Sequence, residues 1–98
     1  MQDQKELIVS VKAHIHKTHR QFTDGLASIE VEGNTVGECL DNLVKKFPGL
    51  MKALFKEKGK LANNIEVYVN LKSAYPNELA IPVKDGDEIH LTVMLTGG

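Results

Sequence analysis

Four stretches of the chain alternate apolar and polar residues with a period of two. In the first, Leu7, Val9, Val11, Ala13 and Ile15 fall on one face of an extended chain, with Ser10, Lys12, His14 and His16 on the other. Such a pattern, rich in β-branched residues, predicts a half-buried strand. A polar stretch, 17–25, separates it from a second alternating run in which Ala27, Ile29 and Val31 oppose Ser28, Glu30 and Glu32. The two runs predict an antiparallel hairpin ending at Gly33-Asn34. Ile65, Val67, Val69 and Leu71 alternate with Glu66, Tyr68 and Asn70, and Ile89, Leu91, Val93 and Leu95 are the inward positions of the last run.

Between the second and third runs the period changes. Val36, Leu40, Leu43, Val44 and Phe47 recur at helical spacing and form one apolar stripe. Thr35-Val36-Gly37-Glu38 reads as a capping box, in which the threonine hydroxyl accepts from the Glu38 amide while the glutamate reaches back. Pro48-Gly49 stops this helix. Residues 50–58 predict a short second helix or turn ending at Gly59, 72–77 a loop, and 78–83 a short edge strand. Asp85-Gly86-Asp87 is a turn signal.

The predicted order is β-β-α-(α)-β-(β)-β. The first and last strands can lie parallel at the centre of a sheet only if the helix makes the crossover between them. The expected class is therefore α+β: a β-grasp, with a mixed four- to five-stranded sheet covered by one main helix and a short second helix. Residues 1–98 form one expected domain, with 96–98 as a flexible C-terminal tail.

Composition narrows the functions open to such a body. The chain has 98 residues, 42% hydrophobic and 26% charged, with a net charge of −1, so bulk charge gives no attraction to nucleic acid or to a membrane. No apolar run reaches the roughly 18 residues of a membrane span. A single cysteine excludes an internal disulfide and fits a reducing compartment. Met1 to Glu6 shows no signal-peptide pattern, so the expected location is the cytoplasm.

Self-sufficient catalysis finds no support in the motifs. There is no phosphate-binding glycine loop, no Ser-His-Asp pattern and no cysteine pair. His14, His16 and His19 form an H-x-H-x-x-H run whose first two members share a strand face, making them weak candidates for a metal. No acid or cysteine stands near them in sequence, and His90 belongs to a distant strand, so no metal site is expected. Cys39, beside the apolar stripe, reads as a small buried hydrophobe. Lys45, Lys46, Lys52, Lys56, Lys58 and Lys60 read as a solvated face, and Asp85, Asp87 and Glu88 as acids of a tight turn. What remains is Thr96-Gly97-Gly98. Glycines without side chains can thread a narrow channel, and an α-carboxylate there is ionised at neutral pH. It becomes an acceptor for a nucleophile only once an external enzyme has activated it.

These stretches resemble the MoaD/ThiS family of ubiquitin-like sulfur carriers. Thr35-Val36-Gly37-Glu38-Cys39-Leu40 through Phe47-Pro48-Gly49-Leu50 resembles the family's capped helix with its aromatic-Pro turn. Ile65-Glu66-Val67-Tyr68-Val69-Asn70 is similar to its V-x-V-N strand. Ile81-Pro82-Val83-Lys84-Asp85-Gly86-Asp87-Glu88-Ile89, then a strand and Gly97-Gly98, is similar to its final segment. In place of the Pro-rich residues of many members, Val93-Met94-Leu95-Thr96 precede the glycines. The resemblance implies a carrier rather than an enzyme, with no bound cofactor. A ubiquitin-activating-type adenylating enzyme would use ATP to adenylate Gly98, a sulfur donor would convert it to a thiocarboxylate, and a recipient biosynthetic enzyme would take the sulfur. Gly98 is then the modified residue, Gly97 and Thr96 thread into the partner, and Asp85, Gly86 and Asp87 set the turn that aims the last strand. Two other roles use the same tail: the small subunit of molybdopterin synthase, and a ubiquitin-like modifier conjugated to lysines. A β-grasp binding module with incidental glycines would not use it.

Overall fold

The structure of the chain is a computed structural model that describes residues 8–94. Leu7, Leu95, Thr96, Gly97 and Gly98, which the sequence reading assigns to strand ends and tail, lie outside the described residues. In chain order the elements are β1 (Ser10–His14), a 3-10 helix (Lys17–Phe22), β2 (Ser28–Glu32), α1 (Val36–Lys46), α2 (Leu50–Leu54), β3 (Phe55–Glu57), β4 (Lys60–Leu61), β5 (Ile65–Val69), β6 (Lys72–Ser73), a 3-10 turn (Glu78–Ala80) and β7 (Glu88–Val93). Five strands form one mixed sheet in the order β2-β1-β7-β5-β6, and β3 and β4 form a separate two-stranded ribbon.

β1 and β7 are parallel neighbours, with Ala13 opposite Ile89 and His14 opposite His90. β1 pairs antiparallel with β2, and β5 antiparallel with both β7 and β6. Within the strands, most of the alternating apolar residues turn inward to share one core with α1. Val11, Ala13, Ile15, Ile29, Val31, Ile65, Val67, Ile89 and Leu91 are buried together with Val36, Cys39, Leu40 and Leu43 from the helix. This is the β-grasp arrangement that the order of periods predicts.

The start of α1 is set by its cap. The Glu38 amide donates to Thr35 Oγ1 at 3.1 Å. The Glu38 carboxylate reaches back one residue further than in the usual box, accepting from the Asn34 amide at 2.8 Å. Gly33 leaves room for this turn: a Cβ there would stand 2.8 Å from the Cys39 backbone nitrogen and 2.9 Å from its Sγ. Lys45 and Lys46 close the helix, where cations meet the negative end of its dipole.

Three local expectations are corrected. The second helix stops at Leu54, because Phe55 turns extended to bury its ring, and 55–61 become a ribbon folded about Gly59 (φ +78°). The third alternating run ends at Val69 rather than Leu71. Asn70 and Leu71 both have positive φ, 50° and 71°, and join β5 to β6 through a two-residue turn, the backbone that suits the twist of a hairpin. The edge strand is consequently Lys72–Ser73. Residues 78–83, expected to supply it, form the 3-10 turn and a single bridge from Pro82 to Thr35.

Leu71 is 77% exposed, so its side chain gains little packing in exchange for the left-handed backbone. Leu71→Gly is expected to raise the unfolding free energy by about 1 kcal/mol in urea denaturation. Leu40→Ala, by contrast, should lower it by about 2–5 kcal/mol. Destabilisation by Leu71→Gly would contradict the turn geometry.

Candidate functional site

The sequence reading places the chemistry beyond β7, so the site begins with what holds that strand. β7 is paired on both sides, to β1 and to β5, and its outgoing end is tied by the Met94 amide, which donates to Asn64 O at 2.7 Å. Met94 also lines an open groove of about 810 Å³ with Leu61, Val67, Tyr75 and Leu79.

The incoming end is fixed by the turn at Asp85, Gly86 and Asp87. Gly86 takes φ +89°, which an L side chain rarely adopts. Its amide donates to Ser10 O at 2.9 Å, while the Ser10 amide donates to Asp85 Oδ1 at 2.9 Å. The turn is thereby latched to the start of β1. Asp87 latches it to the end of β5: Oδ1 accepts from Asn70 Nδ2 at 2.9 Å, and Oδ2 accepts from the Lys84 amide at 2.8 Å. The Glu88 amide returns a bond to Asn70 Oδ1 at 2.9 Å. The Asn70 amide bond, followed by that of Lys84, holds the Asp87 carboxyl below the usual aspartate range. Sequence reasoning did not connect Asn70 to this turn; the only trace was an asparagine, a residue tolerant of positive φ, at a strand end.

On the open face of the sheet the histidines are regrouped. His90 is not distant from His14: the strands carrying them are neighbours, and the rings stack with centroids 4.2 Å apart and planes 4° from parallel. His14 Nε2 lies 2.7 Å from Glu88 Oε1. An ionised carboxylate only accepts, so Nε2 carries the proton. This bond is the main reason that the Glu88 carboxyl lies below its ordinary value. His90 is lowered from the usual histidine value by partial burial first and by His14 second, against the opposing pull of Glu88. Among the described residues, His14, Glu88 and His90 are the only group of three metal-ligating side chains whose ligand atoms converge.

His16 and His19 do not join them. His16 leaves the strand and caps the 3-10 helix, its Nδ1 accepting from the Thr18 amide at 3.2 Å. His19 packs against Phe22, and burial lowers its pKa. Cys39 is fully buried. Burial, then the Glu38 carboxylate, pushes its thiol up to about 11, so it stays protonated and is no nucleophile at neutral pH. Of the exposed lysines, Lys46 is tied to Glu30 O, Lys56 to Asn63 and Lys60 to Glu57. Among the described residues no helix is long and apolar enough to cross a membrane.

Comparison with known proteins adds what this geometry alone lacks. The ThiS family model matches residues 14–98. The chain belongs to the ThiS family. The sulfur carrier protein CysO of Mycobacterium tuberculosis is 27% identical over 93 residues, covering 92% of this chain and 100% of that protein. Among solved structures, a chain of the BexX/CysO complex of Amycolatopsis orientalis superposes with a TM-score of 0.81 at 32% identity, over 90% of this chain and 99% of that one. Small archaeal modifier protein 1 of Haloferax volcanii gives a TM-score of 0.78 at 28% identity, over 91% and 99%. The β-grasp is thus shared with ThiS-family carriers and with a ubiquitin-like modifier.

The latch at Asp87 has a testable electrostatic signature. A carboxyl whose folded pKa is depressed stabilises the fold above its unfolded pKa, and that contribution is lost as pH falls through the folded value. Asn70→Gly keeps the positive φ but removes the amide. It is expected to raise the Asp87 pKa toward the ordinary aspartate value in a carboxyl NMR titration and to flatten the loss of stability on acidification. An unchanged Asp87 titration would contradict the latch.

Proposed function

We propose that this chain is a sulfur carrier whose working group is the α-carboxylate of Gly98. The observation that carries this reading is the ThiS-family match, which runs through Gly97 and Gly98. The curated relative named above is a sulfur carrier protein, and β7, the strand leading to these residues, is held on both edges, as a presenting strand requires.

The chemistry follows from the carboxylate. Ionised at neutral pH, it attacks the α-phosphorus of ATP on a ubiquitin-activating-type adenylating enzyme and expels pyrophosphate. A sulfur donor then adds at the acyl carbon, AMP leaves, and the product is a thiocarboxylate. A recipient biosynthetic enzyme takes the sulfur into its substrate, and water then cleaves the acyl–sulfur bond and restores the carboxylate. The chain itself holds no cofactor; ATP belongs to the partner. Four residues follow Met94 and reach about 14 Å when extended, which lets Thr96 and Gly97 occupy a narrow channel while the body stays outside. A cycle run on ATP, in a chain with one buried reduced cysteine, fits the cytoplasm.

A second reading uses the same activated tail. Likeness to the archaeal modifier at 28% identity supports conjugation of Gly98 to lysines of other proteins, with the lysine amine replacing the sulfur donor at the acyl carbon.

Both readings are tested in one reaction series. With its adenylating enzyme, ATP and sulfide, the chain is expected to gain the mass difference between sulfur and oxygen, read on the intact protein. Deleting Gly97 and Gly98 should abolish the gain and leave the thermal midpoint unmoved. Lysine-linked adducts lost on the same deletion would establish the modifier role. No mass gain with a partner proven active on another carrier would overturn the sulfur-carrier reading.

A further inference from the structure

The tail chemistry makes no use of the cluster on the open face of the sheet. The parallel register sets His14 beside His90 and Lys12 beside Glu88, and the two-residue period of β7 puts Glu88 and His90 on one face. The ligand atoms of His14, Glu88 and His90 all lie within 4.8 Å of one another. Glu88 Oε1 stands 2.7 Å from His14 Nε2 and 3.9 Å from His90 Nε2. The geometry points to a binding site for one divalent transition-metal ion of the zinc class, held by His14, Glu88 and His90 across the β1–β7 pair.

Distances, donors and access agree. Zinc holds imidazole nitrogen and carboxylate oxygen at 2.0–2.2 Å, which places the ligand atoms of a tetrahedron about 3.4 Å apart. The two separations from Glu88, 2.7 and 3.9 Å, bracket that spacing. Side-chain rotations therefore admit the ion while the backbone ladder stays fixed. Two imidazoles and one carboxylate suit zinc, cobalt, nickel or copper, whereas magnesium and calcium call for an oxygen shell. The side chains are 32% exposed at His14, 47% at Glu88 and 30% at His90, so the ion enters without opening the core.

Binding replaces one contact and makes three. The His14–Glu88 hydrogen bond breaks, and the His14 proton moves to Nδ1, which frees Nε2 as a neutral donor. Lys12, opposite Glu88 in the register, is exposed, and its charge adds to the pull on the Glu88 carboxylate that the ion would replace. Three protein ligands leave a coordination position open. Beside the site lies a shallow concavity of about 440 Å³ that His14 and His90 line with His16, Lys17 and Arg20. The ion would bridge two strands that meet only through folding, so it would stabilise the folded state by mass action.

The test uses the full chain without an affinity tag, titrated with zinc chloride and, for absorption spectra, cobalt chloride. One ion per chain is expected, with a rise in the thermal midpoint. In imidazole nitrogen NMR spectra, the His14 and His90 rings should shift while His16 and His19 stay in place. His14→Gln, His90→Gln and Glu88→Gln should each weaken binding by at least about tenfold, the smaller loss seen even for outer-shell partners. Glu88→Gln retains an acceptor for His14 and decides the matter if a histidine variant fails to fold. Deleting Gly97 and Gly98 should leave the affinity unchanged, which separates this site from the tail carboxylate. Wild-type affinity in Glu88→Gln and His90→Gln, a response at His16 and His19 instead, or no binding at all would overturn the proposal.

Discussion

A parallel pair of strands cannot be closed by a tight turn, and the β1–β7 pair imposes that constraint on everything between its members. The chain leaves β1 at His14 and must come back beside Lys12 at Glu88. Everything between supplies either the return or its cover. The hairpin partner β2 guards the outer edge of β1, α1 crosses the inner face, and β5 arrives on the far side of β7. The pairing buries Ala13 against Ile89 under Leu40 and Leu43, all fully enclosed.

The same constraint explains the attention given to one short turn. A strand that must dock between two others needs its entry point set from both sides. Asp85 and Gly86 reach Ser10 on β1, while Asp87 and Glu88 reach Asn70 beyond β5. These are exposed bonds, individually modest, and their value lies in register. A slip of one residue would turn Ile89 and Leu91 to water and bring Glu88 and His90 into the core. The parallel register that buries one face of β7 also brings His14 and His90 together on the other.

Much of this was legible beforehand, where local pattern and tertiary role agree. Val11, Ala13 and Ile15, Ile29 and Val31, Val67, and Ile89 and Leu91 alternate because one sheet face is buried. The stripe of α1 and its Thr35 cap follow from helical spacing and from the need to satisfy orphan amides. What was not legible depended on pairing or on backbone strain. Leu71 continues the alternation but sits in a left-handed turn, forced there by Asn70 and the reversal into β6. Phe55 continues a helical apolar pattern yet turns extended, because its ring is needed in the core. His14 and Glu88 are 74 residues apart in the chain, and nothing local announces that their strands are neighbours. The tail motif was readable as composition; the role proposed for it rests on family membership.

The central claim of this account is that the proposed carrier tail works on a body that stays folded, because the strand leading to it is paired along both edges. Native-state hydrogen exchange tests it directly. The amides of Ile89 and Leu91 should open only with the whole domain, giving the same free energy as global unfolding in urea, while the Lys72–Ser73 edge opens far below it. Exchange of Ile89 and Leu91 at the low cost of the edge strand would contradict the claim.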